Sequence, residues 1–273
     1  MLKTEMRNEA SMHIDEMDTL TMLRVMQEEN RNATEAVGRA VEEIATACDQ
    51  IAARMQRGGR LFYIGAGTSG RLGVIDAAEC PPTFGVSADE VIGIIAGGEK
   101  CMVRAAEAEE DNPEAGEADL AAYRLTEKDS VIGISASGGA AYVVGALSYA
   151  ERVGAYTVSL SSNRDTPIEH AAHHAIVIDT GAEVITGSTR MKSGTAQKLV
   201  LNMISTSVMI KTGKVYENMM INLRPTNRKL RGRMIRIVGE ITGVSPEASE
   251  KLLCENDFSI RKAINAFKDF EKA

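Results

Sequence analysis

Apolar residues recur every three or four positions from residue 14 to 57, at Leu20, Leu23 and Met26, then at Val37, Val41, Ile44 and Ile51. That spacing predicts helix, ended by Gly58-Gly59. Short uninterrupted apolar runs then take over, at 60–64 (RLFYI), 91–96, 130–135 and 155–160, with a fifth candidate at 175–178. Between them helices are expected from about Leu72 to Ala78, Lys100 to Glu109 and Ala141 to Val153. Continuously apolar strands alternating with helices predict a parallel sheet covered on both faces, an α/β fold. A further helix is expected over 194–211. Pro225 marks a break, and residues 228–273 read as a helical tail with a start at Ser245-Pro246-Glu247. The expected division is N-terminal helices over 1–57, an α/β core over 58–224 and a small all-helical module over 225–273.

Composition narrows the classes of partner. The 273 residues carry a net charge of −7, and 4% are aromatic with no Trp. Aromatic stacking on nucleic acid is poorly supplied, and attraction to nucleic acid or an anionic membrane is not expected. An anionic ligand would have to be held by local dipoles. No apolar run reaches spanning length and the N-terminus lacks a signal-peptide core, so a cytoplasmic protein is expected. Cys48, Cys80, Cys101 and Cys254 show no metal-ligand spacing and read as small buried side chains. His13, His170, His173 and His174 read as surface residues, and neither metal nor cofactor is expected.

Three stretches carry candidate chemistry. Gly65-Ala66-Gly67-Thr68-Ser69-Gly70 follows a strand and opens a helix, so N–H groups and the positive helix end converge there. It lacks the Lys of a Walker A loop and does not complete a GxGxxG pattern. Phosphate binding by Gly67, Thr68, Ser69 and Gly70 is the reading it supports. Ser135, Ser137 and Gly138 repeat that chemistry at another strand end. The stretch GAEVITGSTRMKSGTAQK, residues 181–198, reads either as a helix cap or as a third wall, in which Ser188, Thr189 or Arg190 touches a sugar. Glu79 lies beside Pro81-Pro82 and Glu110 ends an acidic run; partial burial would let such a carboxyl act as an acid at neutral pH.

The stretches GAGTSGRLGVIDAAECPPTFGV, IAGGE and GAEVITGSTRMKSGTAQKLVLNMIST closely resemble the N-acetylmuramic acid 6-phosphate etherases, in register from about Thr4 to Phe267. These enzymes are built on a SIS-type sugar-phosphate-binding domain, and the last motif is shared with the glucokinase regulatory protein. The resemblance implies cleavage of the D-lactyl ether of N-acetylmuramic acid 6-phosphate to N-acetylglucosamine 6-phosphate and D-lactate, in recycling of cell-wall sugar, with no cofactor. It places the family's acid on Glu79 and its second active-site glutamate on Glu110, within a run that also holds Glu107 and Glu109. It implies a sugar phosphate as ligand and a homodimer, with no nucleic-acid or membrane partner. Where the family usually reads SGRTPYV, this chain reads Ser137-Gly138-Gly139-Ala140-Ala141-Tyr142-Val143. An aldose–ketose isomerase and a sugar-phosphate sensor without turnover are the competing readings.

Overall fold

The computed structural model describes residues 1–104, 107–225 and 227–271, except the side chains of Glu107 and residues 269–271. Three short 3-10 turns (Lys3–Glu5, Glu9–Ser11 and Ile14–Glu16) precede helices α1 (Thr19–Arg39) and α2 (Val41–Met55). Strand β1 (Leu61–Gly65) leads into α3 (Gly67–Phe84). Strand β2 (Val91–Ile95) is followed by α4 (Lys100–Val103), a 3-10 turn at Glu107–Asp111 and α5 (Pro113–Ala121). Strand β3 (Ser130–Ile134) precedes α6 (Ala141–Val153), and β4 (Tyr156–Ser161) precedes α7 (Pro167–His170) and β5 (His174–Val177). The chain continues through α8 (Lys192–Lys211), the two-residue strands β6 (Val215–Tyr216) and β7 (Met219–Met220), and helices α9 (Arg228–Thr242), α10 (Pro246–Glu255) and α11 (Ile260–Glu271).

The five long strands form one parallel sheet in the order β2-β1-β3-β4-β5. Leu61 lies opposite both Val91 and Ser130, which fixes the register of the central strands. β1, β3 and β4 are buried along their whole length, as strands covered by helices on both faces must be. From β1 the chain crosses to β2 on one side and then returns to β3 on the other. The space beyond the C-terminal ends of β1 and β3 is therefore the topological switch point, where such sheets bind ligands.

Two compact units divide the chain. The first comprises Met1–Ala78 and Asp89–Val208, and the second Glu79–Ala88 and Met209–Ala273. In the first, Phe62, Ile64, Val131, Val143 and Leu147 pack in one core. In the second, α9, α10 and α11 bury Met234, Val238, Leu253, Ile260 and Ile264. Asn227 caps α9 and Ser245 caps α10 through side-chain oxygens, the contact a Ser-Pro-Glu start prepares.

The structure departs from the periodicity at three places. The expected helix over 100–109 is broken: α4 ends at Val103, Ala105 and Ala106 lie outside the described residues, and a separate helix begins at Pro113. Asn112 starts that helix by accepting from Ala115 N at 3.0 Å. α3 does not stop at Ala78 but runs through Pro81-Pro82 to Phe84. Proline has a helical φ, but inside a helix it removes its own N–H from the ladder and its ring crowds the carbonyl four residues back; Gly85 N donates to Pro81 O at 2.9 Å, so the ladder resumes at once. The β6–β7 hairpin had no apolar run to announce it, and its turn holds Glu217 at φ +51°.

One buried ion pair ties the starts of β1 and β3. Asp129, fully buried, accepts from Arg60 N (2.8 Å), Arg60 Nε (3.1 Å), Arg60 Nη2 (2.8 Å) and Thr126 N (2.8 Å). Burial alone would raise its carboxyl, but these donors outweigh it and hold the pKa below the ordinary carboxylate value. A depressed pKa stabilises the fold above the unfolded value, and that contribution is lost as pH falls through the folded one. Asp129→Ala is expected to cost about 3 kcal/mol at neutral pH, read as a lower urea midpoint. The gap from wild type should close in strong acid, below the ordinary carboxylate range.

Candidate active site

A cavity of about 150 Å³ opens at the switch point. One wall is the β1–α3 turn, with Gly67, Thr68 and Ser69; the facing wall is the loop after β3, with Ser135 and Ser137. The β1–α3 turn is tight because Gly70 sits against the strand end. A Cβ placed on Gly70 would fall 2.5 Å from the Gly65 carbonyl oxygen. Gly138 is held at φ +82°, where a Cβ would meet the Thr166 side chain at 2.5 Å. Gly70 and Gly138 thus shape the two loops and are not themselves among the cavity's walls.

Each loop is braced from behind. Ser69 Oγ donates to Gln197 Oε1 at 3.0 Å, linking α3 to α8. Ser135 Oγ accepts from Gly138 N at 3.1 Å and lies 3.3 Å from Ser137 Oγ. Asn163 Nδ2 donates to Ala136 O and Ser137 O, while its Oδ1 accepts from Lys3 N at 2.8 Å. Ala140, the N-cap residue of α6, is another wall of the cavity and gives the helix no side-chain cap. Among the described residues the cavity walls include hydroxyls, glycine backbone, helix starts and two carboxylates, and no Lys or Arg. Free N–H groups and helix N-termini in general favour an oxyanion, whereas the two carboxylates on these walls oppose one.

Glu110 lies on the wall of the same cavity, carried by the 3-10 turn before α5. The neighbouring Glu109 packs elsewhere, since a Cβ on Gly97 would fall 2.9 Å from its Cγ. Arg71, the cation of the GTSGR stretch, donates to Cys101 O (2.7 Å) and Met102 O (3.0 Å), pinning the start of the segment that leads to Glu110. Glu79 is placed differently. It is exposed on α3 and belongs to the second unit. Ala78, the last α3 residue of the first unit, is already about 16 Å of helix rise from Gly67. Of the third stretch, Gly187 and Thr189 line the cavity, whereas Ser188 N donates to Ile185 O at 2.9 Å and Ser188 is not a wall.

Glu5 is a wall residue that the sequence reading missed. Gly187 N donates to Thr4 O at 3.2 Å, drawing the N-terminal segment to the cavity. A lone Glu in a polar, aperiodic stretch carries no signal for this. The loop of residues 185–191 is anchored as well: the Lys192 ammonium pairs with Glu29 of α1, and the buried Glu183 carboxylate accepts from Lys192 N (3.0 Å) and Ser193 N (2.9 Å). The histidines take separate partners. His170 pairs with Asp165, His173 with Thr157 and Glu151, and His174 with the Glu43 carbonyl.

The parallel sheet with hydroxyl-rich loops at its switch point belongs to the SIS-domain class, as the family models show. Residues 43–151 match the glucokinase regulatory protein N-terminal SIS domain, and residues 111–207 match the SIS domain. A phosphoheptose isomerase from Francisella tularensis shares the fold, with a TM-score of 0.54 at 14% identity over 70% of this chain and 98% of that one. The chain belongs to the N-acetylmuramic acid 6-phosphate etherase family. It is 54% identical to the etherase of Halalkalibacterium halodurans over 96% of this chain and 88% of that protein. It is 51% identical to that of Clostridium beijerinckii over 96% of this chain and 86% of that protein. Among the described residues no helix is long and apolar enough to cross a membrane.

Proposed function

We propose that the protein is a carbon–oxygen lyase of the cytoplasm that removes D-lactate from N-acetylmuramic acid 6-phosphate, in recycling of cell-wall sugar. The observation that carries this reading is the switch-point cavity, where Glu110 stands beside two hydroxyl-rich loops suited to a phosphate. Family membership supplies the substrate. In the open-chain sugar the C1 aldehyde acidifies the C2 proton, and Glu110, ionised, takes it. The electron pair forms the C2–C3 double bond and expels the lactyl oxygen, which leaves well only if protonated as it departs. Glu79 supplies that proton. Water then adds across the double bond, with oxygen to C3 and hydrogen to C2, using the same two groups in reverse.

C2 and C3 are bonded neighbours, so acid and base must reach adjacent atoms. SIS-type sites are often completed by a second subunit, and in our reading the acid comes from the second copy of the chain in a homodimer. A two-fold assembly makes two such composite sites. The test is direct: incubation with N-acetylmuramic acid 6-phosphate should release D-lactate and N-acetylglucosamine 6-phosphate in equal amounts. Binding without lactate would leave a sensor, and a ketose product would leave an isomerase; either result ends the etherase reading.

A further inference from the structure

The switch-point cavity is too small for the whole substrate of the proposed reaction. Ligand pockets commonly run from about 300 to 1,000 Å³, against about 150 Å³ here. Its walls provide for one anion, the phosphate. The substrate carries a second, the lactyl carboxylate, next to a methyl group. Thr68 is shared between this cavity and a groove of about 470 Å³ that lies between the first turns of α3 and α8. Thr68 and Leu72 stand four residues apart on α3; Gly194 and Lys198, and Thr195 and Leu199, do the same on α8, so each helix turns one face to the groove. Arg190 enters from the loop just before α8.

Arg190 and Lys198 are exposed, and neither has a carboxylate partner among the described residues. In a chain of net charge −7 that contrasts with Arg31, Arg152 and Arg231, each paired with a glutamate. Gly194 has no side chain where a Cβ would touch Thr68 Cγ2 and Thr189 O at 3.5 Å, which keeps the way past Thr68 open. We propose, resting on the etherase reading, that this groove is the subsite for the lactyl arm: Arg190 and Lys198 hold its carboxylate, and Leu72 and Leu199 pack its methyl. The subsite distinguishes substrate from product, because N-acetylglucosamine 6-phosphate has no lactyl arm to place there. It binds ground state and transition state alike, so its loss falls on KM rather than on kcat.

The test uses the full chain with Arg190→Gln and Lys198→Gln together. KM for N-acetylmuramic acid 6-phosphate should rise by about 10- to 100-fold, as for loss of charge-assisted hydrogen bonds. Binding of N-acetylglucosamine 6-phosphate should stay at the wild-type level, which also shows that the variant is folded. The substrate with its lactyl carboxylate converted to the amide should lose a similar factor on the wild type and nothing further on the double variant. The charge-keeping pair Arg190→Lys and Lys198→Arg should recover most of the affinity. An unchanged KM in the double variant, with the wild type releasing lactate, overturns the subsite and leaves the etherase reading intact. Equal loss of product binding overturns it too, because the cations would then hold the phosphate. A wild type that releases no lactate overturns both.

Discussion

Glu110→Gln is expected to lower lactate release by about 10²- to 10⁴-fold, the usual worth of a positioned general base, and to stop exchange of the C2 hydrogen with solvent deuterium. The substitution keeps the shape of the side chain and removes its basicity, so the 3-10 turn at Glu107–Asp111 has no steric reason to change. Phosphate binding in our reading rests on the β1–α3 turn and on Ser135 and Ser137, none of which is altered. The affinity for N-acetylglucosamine 6-phosphate should therefore survive while turnover disappears, the pattern of a group that acts only in the chemical step. Glu109→Gln is the control. Its side chain packs towards Gly97 and away from the cavity walls, so near-wild-type turnover is expected. Deuterium entering C2 at the wild-type rate in Glu110→Gln, followed by NMR in D₂O, would remove Glu110 from the role of base.

The sheet was legible because buried parallel strands have a plain signature. Runs such as Phe62-Tyr63-Ile64 and Val131-Ile132-Gly133-Ile134 have no polar face to hide, and each is followed by a glycine or serine turn. The helix α6 matched its expected span for a similar reason: its apolar stripe is set by Val143, Ala146, Leu147 and Ala150, and Gly154 ends it at positive φ. What stayed hidden depended on partners distant in sequence. Asn112 starts a helix only if residues 100–111 stop being one, and an Ala- and Glu-rich segment does not advertise its break. The prolines of α3 read as a stop because local propensity ranks them so, yet the structure tolerates two missing N–H groups. In the site, the two hydroxyl loops were visible as motifs, but Glu5 reaches the cavity because its neighbours are held there, Lys3 N donating to Asn163 Oδ1 and Thr4 O accepting from Gly187 N, more than 150 residues away in the chain. The groove beside Thr68 was equally invisible, since Leu72 and Leu199 look like ordinary helix residues until α3 and α8 are set side by side.

Glu79→Gln should show the complementary lesion. Without a proton donor the lactyl oxygen cannot leave, so lactate release is expected to fall by about 10²- to 10⁴-fold. C2 proton exchange should continue, because that step needs only Glu110. The pair of variants also tests where the acid comes from. If Glu79 of one copy serves Glu110 of the other, a mixed dimer of Glu79→Gln and Glu110→Gln has one site with both lesions and one site with neither. Random pairing makes half of all dimers mixed, and one of their two sites is intact, so co-expression should restore about a quarter of the wild-type rate. Each variant alone stays inactive, which makes the recovery easy to see against its background. A co-expressed mixture that is dimeric and as inactive as either parent would place both carboxylates on one chain.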